Sequence, residues 1–93
     1  MSEKENLTNE NTFIVCKRVE TKELKNKQGE TYYALSVLFE YKNRAALINF
    51  YFRDNDLYSE LLSIPQLNDF KLYYEVGIDY NNNLVVIPTA CSL

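Results

Sequence analysis

Ten residues near the middle of the chain, YYALSVLFEY at 32–41, alternate too regularly for anything but a strand. Tyr33, Leu35, Val37, Phe39 and Tyr41 share one parity, and Tyr32, Ala34, Ser36, Leu38 and Glu40 share the other. Successive side chains of a strand point to opposite faces, so this segment has a clear inside. A short polar turn, KNR at 42–44, leads to AALINFYFR, which repeats the pattern. Ala46, Ile48, Phe50 and Phe52 line one face there, and Ala45, Leu47, Asn49, Tyr51 and Arg53 the other.

The flanking segments supply three more strands and a helix. TFIVCKRVE at 12–20 is β-branched and aromatic, with Phe13, Val15 and Val19 on one side and Arg18 and Glu20 on the other, a half-buried first strand. The polar stretch TKELKNKQGET then turns at Gly29, whose freedom at positive φ suits a hairpin end. After the third strand, DNDLYSELLSIP reads as a short helix lying over the barrel as a plug or lid. Asp54 or Asp56 caps it, Leu57, Leu61 and Leu62 form its apolar stripe, and Pro65 stops it. FKLYYEV at 70–76 sets Phe70, Leu72, Tyr74 and Val76 against Lys71, Tyr73 and Glu75, a fourth strand. Asn81, Asn82 and Asn83 mark a reversal, since Asn tolerates the left-handed region, and LVVIPTA closes the chain as a fifth strand. Tyr33, Phe39, Phe50, Phe52, Phe70 and Tyr74 are the expected core aromatics, with Tyr58 packing the helix and Tyr80 anchoring the last turn.

The remaining composition narrows the function. Of the first 11 residues only Met1 and Leu7 are apolar, so 1–11 is expected to be a disordered polar tail and 12–93 a single domain. Hydrophobic residues make up 46% of the 93 and aromatics 14%, too much buriable surface for a disordered chain. No apolar run approaches membrane-spanning length, and the polar N-terminus lacks the order of a secretory signal, so a cytoplasmic protein without membrane contact is expected. Cys16 and Cys91 stand alone without histidine, which points to buried free thiols and leaves a Cys16–Cys91 bridge as the alternative. No catalytic residue, metal site or cofactor is expected: there is no histidine, no glycine-rich phosphate cradle, and no serine or cysteine with a base nearby in sequence.

Strand, strand, strand, helix, strand, strand in about 80 residues is the order of the OB-fold, an all-β five-stranded Greek-key barrel. An SH3-like barrel, without a full helix between its third and fourth strands, is the second choice. In the OB-fold, ligands lie across strands two and three, between the loop joining strands one and two and the loop joining strands four and five. Those loops would be residues 22–31 and 80–83.

Residues 27–32, KQGETY, are a polar and basic arm that turns at a glycine and opens the next strand with a tyrosine. With it, the domain from 13 to about 90 resembles the small OB-fold single-stranded DNA-binding proteins of filamentous phages. It is similar also to the single-strand binders of Gram-positive phages, plasmids and conjugative elements. That resemblance implies a phage or mobile-element DNA-binding protein in which Tyr32 stacks on a base. The chain departs from those phage proteins in being less basic and in its acidic tail and helix.

Charge and aromatic placement add their own case. Residues 1–11 carry −2, residues 12–53 carry +4 and residues 54–93 carry −5, so a net −3 conceals a dipolar chain. Sequence-tolerant recognition of a single strand needs positive charge for the phosphates and flat side chains for the bases. By strand parity the stacking residues are Tyr32, Tyr51 and Tyr73, with Arg53 and Lys71 as phosphate contacts beside them, and strand one and the adjoining turns add Arg18, Lys25, Lys27 and Arg44. The expected partner is single-stranded DNA, with RNA as the second substrate. Outward Leu38 and Leu47 suggest an apolar patch for a homodimer or cooperative oligomer. The rival reading is a protein-binding module whose acidic half takes a basic partner, or an acidic nucleic-acid mimic acting on a protein partner.

Overall fold

The computed structural model describes residues 12–93, and the tail expected at 1–11 lies outside them. The chain runs β1 (Phe13–Lys25), β2 (Thr31–Tyr41), β3 (Arg44–Phe52), α1 (Asn55–Leu62), β4 (Asp69–Ile78) and β5 (Leu84–Ser92). The five strands form one antiparallel sheet in the order β3-β2-β1-β4-β5, with one short helix. The closed barrel of the sequence reading is not seen. β3 and β5 come within 8 Å of each other, Cα to Cα, but no ladder joins them, and they remain the two edges of the sheet.

Each reversal has a local cause. Lys42 and Asn43 have φ of 50° and 66°, and two consecutive left-handed residues make a two-residue hairpin whose twist matches that of its strands. At the β1–β2 tip Gly29 takes φ 83°, where a side chain would strain the backbone. In the β4–β5 turn Asn82 is left-handed at φ 63°, and Asp79 Oδ1 accepts from the amides of Asn81 and Asn83.

β1 departs most from expectation. The strand read as 12–20 continues to Lys25, because TKELK pairs with β2 in register, Thr21 opposite Leu35 and Leu24 opposite Tyr32. Polar side chains do not stop a ladder whose outer face meets water, so the loop shrinks from 22–31 to the five residues 26–30. The faces of the first half are also exchanged. Ile14 and Cys16 lie opposite Leu72 and Phe70 of β4 and face the core, which turns Phe13 and Val15 outward. A bulge between Arg18 and Glu20 then shifts the register, so simple alternation cannot predict both halves of the strand.

The core gathers Leu35 and Val37 of β2, Phe50 and Phe52 of β3, and Phe70 and Leu72 of β4 beneath α1. Asp54 caps α1, its Oδ1 accepting from the amides of Asp56 and Leu57 at 2.9 and 3.3 Å. Leu57 and Leu61 are buried, while Leu62 lies about 100° further round the helix and is exposed. The helix ends at Leu62, where Ser63 caps it, three positions before the proline expected to stop it. Tyr33 stacks on Tyr58 at 4.2 Å between centroids and donates its hydroxyl to Asn55 Oδ1. Tyr80, by contrast, is fully exposed at the turn tip and anchors nothing, and Phe39 and Tyr74 are only partly buried.

Cys16 and Cys91 are free thiols. Cys16 pairs with Phe70 and Cys91 with Leu72, so β4 stands between them. Two strand spacings, about 10 Å, exceed the roughly 7 Å that a disulfide spans. Burial pushes both thiols up to about 11, helped by Asp69 at Cys16 and Glu60 at Cys91.

Candidate nucleic-acid interface

The face of the sheet turned away from the core carries most of the residues singled out from sequence, but it does not bring them to one place. Tyr32 and Tyr51 are together. Tyr51 lies opposite Ala34, two positions along β2 from Tyr32, a diagonal that places the ring centroids 6.3 Å apart at 51°. Tyr51 is 57% exposed. With Asn26, Phe52 and Arg53 these rings line a shallow groove of about 310 Å³.

The β1–β2 tip forms one wall of that groove. Asn26 Oδ1 accepts from the amides of Gln28 and Glu30 at 3.0 and 2.9 Å, which holds the tip closed. Asn26 Nδ2 in turn donates to Glu30 Oε1 at 2.9 Å, and Arg53 Nη1 reaches the same oxygen at 3.4 Å. The Asn26 hydrogen bond first, and then Arg53, hold the Glu30 carboxyl below its ordinary range. Lys25 Nζ donates to Thr31 Oγ1 at 3.0 Å, and Lys27 is exposed in the tip itself. Among the described residues no carboxylate lies within 4 Å of either ammonium. Tyr32, Tyr51 and Arg53 thus share the groove with Asn26; Lys27 stands in the adjoining tip, and Lys25, opposite Thr31, has the parity of the core side.

Tyr73 belongs elsewhere. It lies opposite Phe13, with ring centroids 5.3 Å apart, and Lys71 Nζ sits 5.2 Å from the Phe13 centroid. Phe13 and Leu24, the β1 partners of Tyr73 and Tyr32, are eleven positions apart, about 36 Å of strand path. The ground between is neutralised: Lys17 Nζ reaches Asp69 at 2.6 Å and Glu40 at 3.8 Å, and Lys22 meets Glu20 at 3.9 Å.

Arg18 and Arg44 are not on this face beside the tyrosines. Arg18 has the inward parity, opposite Val37, and donates from Nε to the Ile64 carbonyl and from Nη1 to Thr21 Oγ1. Its own carbonyl accepts from the Leu67 amide at 2.7 Å, so Arg18 fastens the segment between α1 and β4. Arg44 sits at the β2–β3 turn, opposite Tyr41. There Lys42 lies 5.3 Å over the exposed Tyr41 ring, and Phe39 is nearly parallel to Tyr41. This turn lines an open concavity of about 490 Å³, at the opposite end of β2 from Tyr32.

Asn26 escaped sequence reasoning as a groove residue, and Phe13 and Tyr41 as surface aromatics. Phe13 and Tyr41 carried core parity, and only the bulge in β1 and the end of the core beneath β2 turn them into surface. Leu38 and Leu47 do meet across β2 and β3, with Leu47 well exposed. No protein-family model, curated protein or solved structure matches the chain.

Proposed function

We propose that this chain binds single-stranded nucleic acid, DNA in the first place, with little sequence preference, and that the tyrosine groove is where it does so. The observation that carries the reading is the Tyr32–Tyr51 pair over a groove that Arg53 also lines, with Lys25 and Lys27 at the adjoining strand end and tip. Two bases stacked there are worth about 1–3 kcal/mol each, and sequence-tolerant because every base has a flat face. The three cations would follow the phosphates on either side. The strand order and the helix between β3 and β4 support an OB-type arrangement, in which this part of β2 and β3 is the ligand face.

Within that reading the roles divide unequally. Tyr32 and Tyr51 stack; Lys25, Lys27 and Arg53 contact phosphate; Lys71 and Tyr73 make at most a remote second contact; Arg18 is a structural residue. Fluorescence anisotropy of a labelled oligo(dT) of about 30 nucleotides, at two salt concentrations and beside the matching duplex, tests the proposal. Binding to the single strand should weaken with a slope near −0.7 per neutralised phosphate. Equal binding to duplex, or none at low salt, would sink it and leave a protein partner of the acidic half as the function to pursue.

A further inference from the structure

The ladders place one more cation on the tyrosine face. Lys22 of β1 lies opposite Ala34 of β2, and Ala34 lies opposite Tyr51 of β3, so the three form one row across the outward side of the sheet. In the next row toward the hairpin tip, Leu24 lies opposite Tyr32. Ala34 ends at its Cβ and raises no long side chain between Tyr51 and Lys22. Those two residues are two strand spacings apart, about 10 Å. One nucleotide covers that span, its base over the ring and its phosphate at the ammonium.

Charge fixes the direction in which a phosphate backbone can leave the rings. Along β1 and β2 away from the tip, the next row sets Glu20 opposite Ser36, and the row after the bulge sets Lys17, already held by Asp69 and Glu40, opposite Leu38. A polyanion on that route meets a carboxylate first and an occupied lysine second. Across the sheet, cations stand on both sides of the rings. Arg53, two positions after Tyr51, lines the groove on the β3 side, and Lys22 stands on the β1 side. Glu20 approaches Lys22 only to 3.9 Å, and both side chains are more than half exposed, a pairing that contributes little in water and that a phosphate can replace. β4 pairs with β1 only through Phe13–Lys17, so that ladder does not wall off the Lys22 end.

We propose that the bound strand crosses the sheet instead of following β2, passing from Arg53 on the β3 side over the two rings to β1, where Lys22 holds a phosphate. The path rests on the reading of the tyrosine groove as a single-strand site. Lys22→Gln should lower the affinity of the full chain for labelled oligo(dT) about two- to fivefold, the scale of one exposed ion pair. It should also reduce the magnitude of the salt slope by about 0.7, the share of one phosphate. Lys22→Arg should restore the slope, and Glu20→Gln should tighten binding about two- to threefold. Lys42→Gln removes the same unit of charge at the far end of β2 and should leave the slope unchanged, whereas a strand that followed β2 would lose slope there. Lys22 is already exposed, so unchanged circular dichroism is expected of its variants. A wild-type chain that does not bind oligo(dT) refutes the groove reading and the path with it. A chain that binds, but with an undiminished slope after Lys22→Gln or an equal loss after Lys42→Gln, overturns the path alone.

Discussion

The outward face of the sheet carries two aromatic pairs of similar make, at opposite ends of β1, and they differ in what already occupies them. At one end Tyr32 and Tyr51 tilt toward each other over an open groove, with Lys25 and Lys27 free of carboxylates among the described residues. At the other, Phe13 and Tyr73 pack at 5.3 Å and Lys71 lies over the Phe13 ring. A cation already over an aromatic face must leave before a base can stack there, and the attraction it gives up is worth about 0.5–1 kcal/mol at an exposed site. Two rings and a lysine are therefore not a binding site by composition alone. Availability makes the difference, and it depends on which neighbours the register supplies.

The largest expected effect comes from removing both rings of the open pair. Tyr32→Ala with Tyr51→Ala should abolish measurable oligo(dT) binding, and each single change should weaken it about 5- to 150-fold, as a stack worth 1–3 kcal/mol requires. Next, Lys27→Glu should lower affinity and reduce the magnitude of the salt slope by about 0.7, the share of one phosphate that is no longer neutralised. Tyr73→Ala should change affinity by no more than about threefold, less than 1 kcal/mol. If it matches Tyr51→Ala instead, the contrast between the two ends is wrong. Glu30→Gln sharpens the comparison from the other side. It removes the anion that holds Arg53, and titration should show binding about two- to threefold tighter, the scale of a surface ion pair.

Acid should act on the same corner. Glu30 has a folded-state pKa below its ordinary value, so the support it gives the hairpin tip is present above that value and is lost as pH falls through the lowered one. Amide exchange at residues 26–30 should accelerate below about pH 4, near the ordinary carboxylate range, while residues 35–37 stay protected. The smallest effect is chemical: with both thiols pushed up to about 11, a thiol reagent at neutral pH should label the native chain slowly and the denatured chain quickly.

Much of this frame was legible in the sequence, because β2, β3 and β4 alternate without interruption. Their inward residues Leu35, Val37, Phe50, Phe52, Phe70 and Leu72 are the core that parity predicts. So too were the helix, with its cap narrowed to Asp54 or Asp56, and the turns at Gly29, at KNR 42–44 and at the three asparagines. β1 was not, since a one-residue bulge exchanges the meaning of parity partway along a strand, and a polar half-strand such as TKELK looks like loop until its partner is known. For the same reason the candidate site was legible only in part. Tyr32 and Tyr51 share a short-range hairpin frame and were placed correctly relative to each other. Tyr73, Arg18 and Arg44 depended on long-range register and went to three different places.

The most direct test is a chemical-shift titration of the isotopically labelled full chain with a short oligo(dT) of about six nucleotides, enough for one OB-sized site. Perturbations should concentrate at residues 25–32 and 51–53, with residues 13 and 71–73 nearly silent. Perturbations centred on Phe13, Lys71 and Tyr73, or spread evenly over the sheet, would contradict the tyrosine groove as the site.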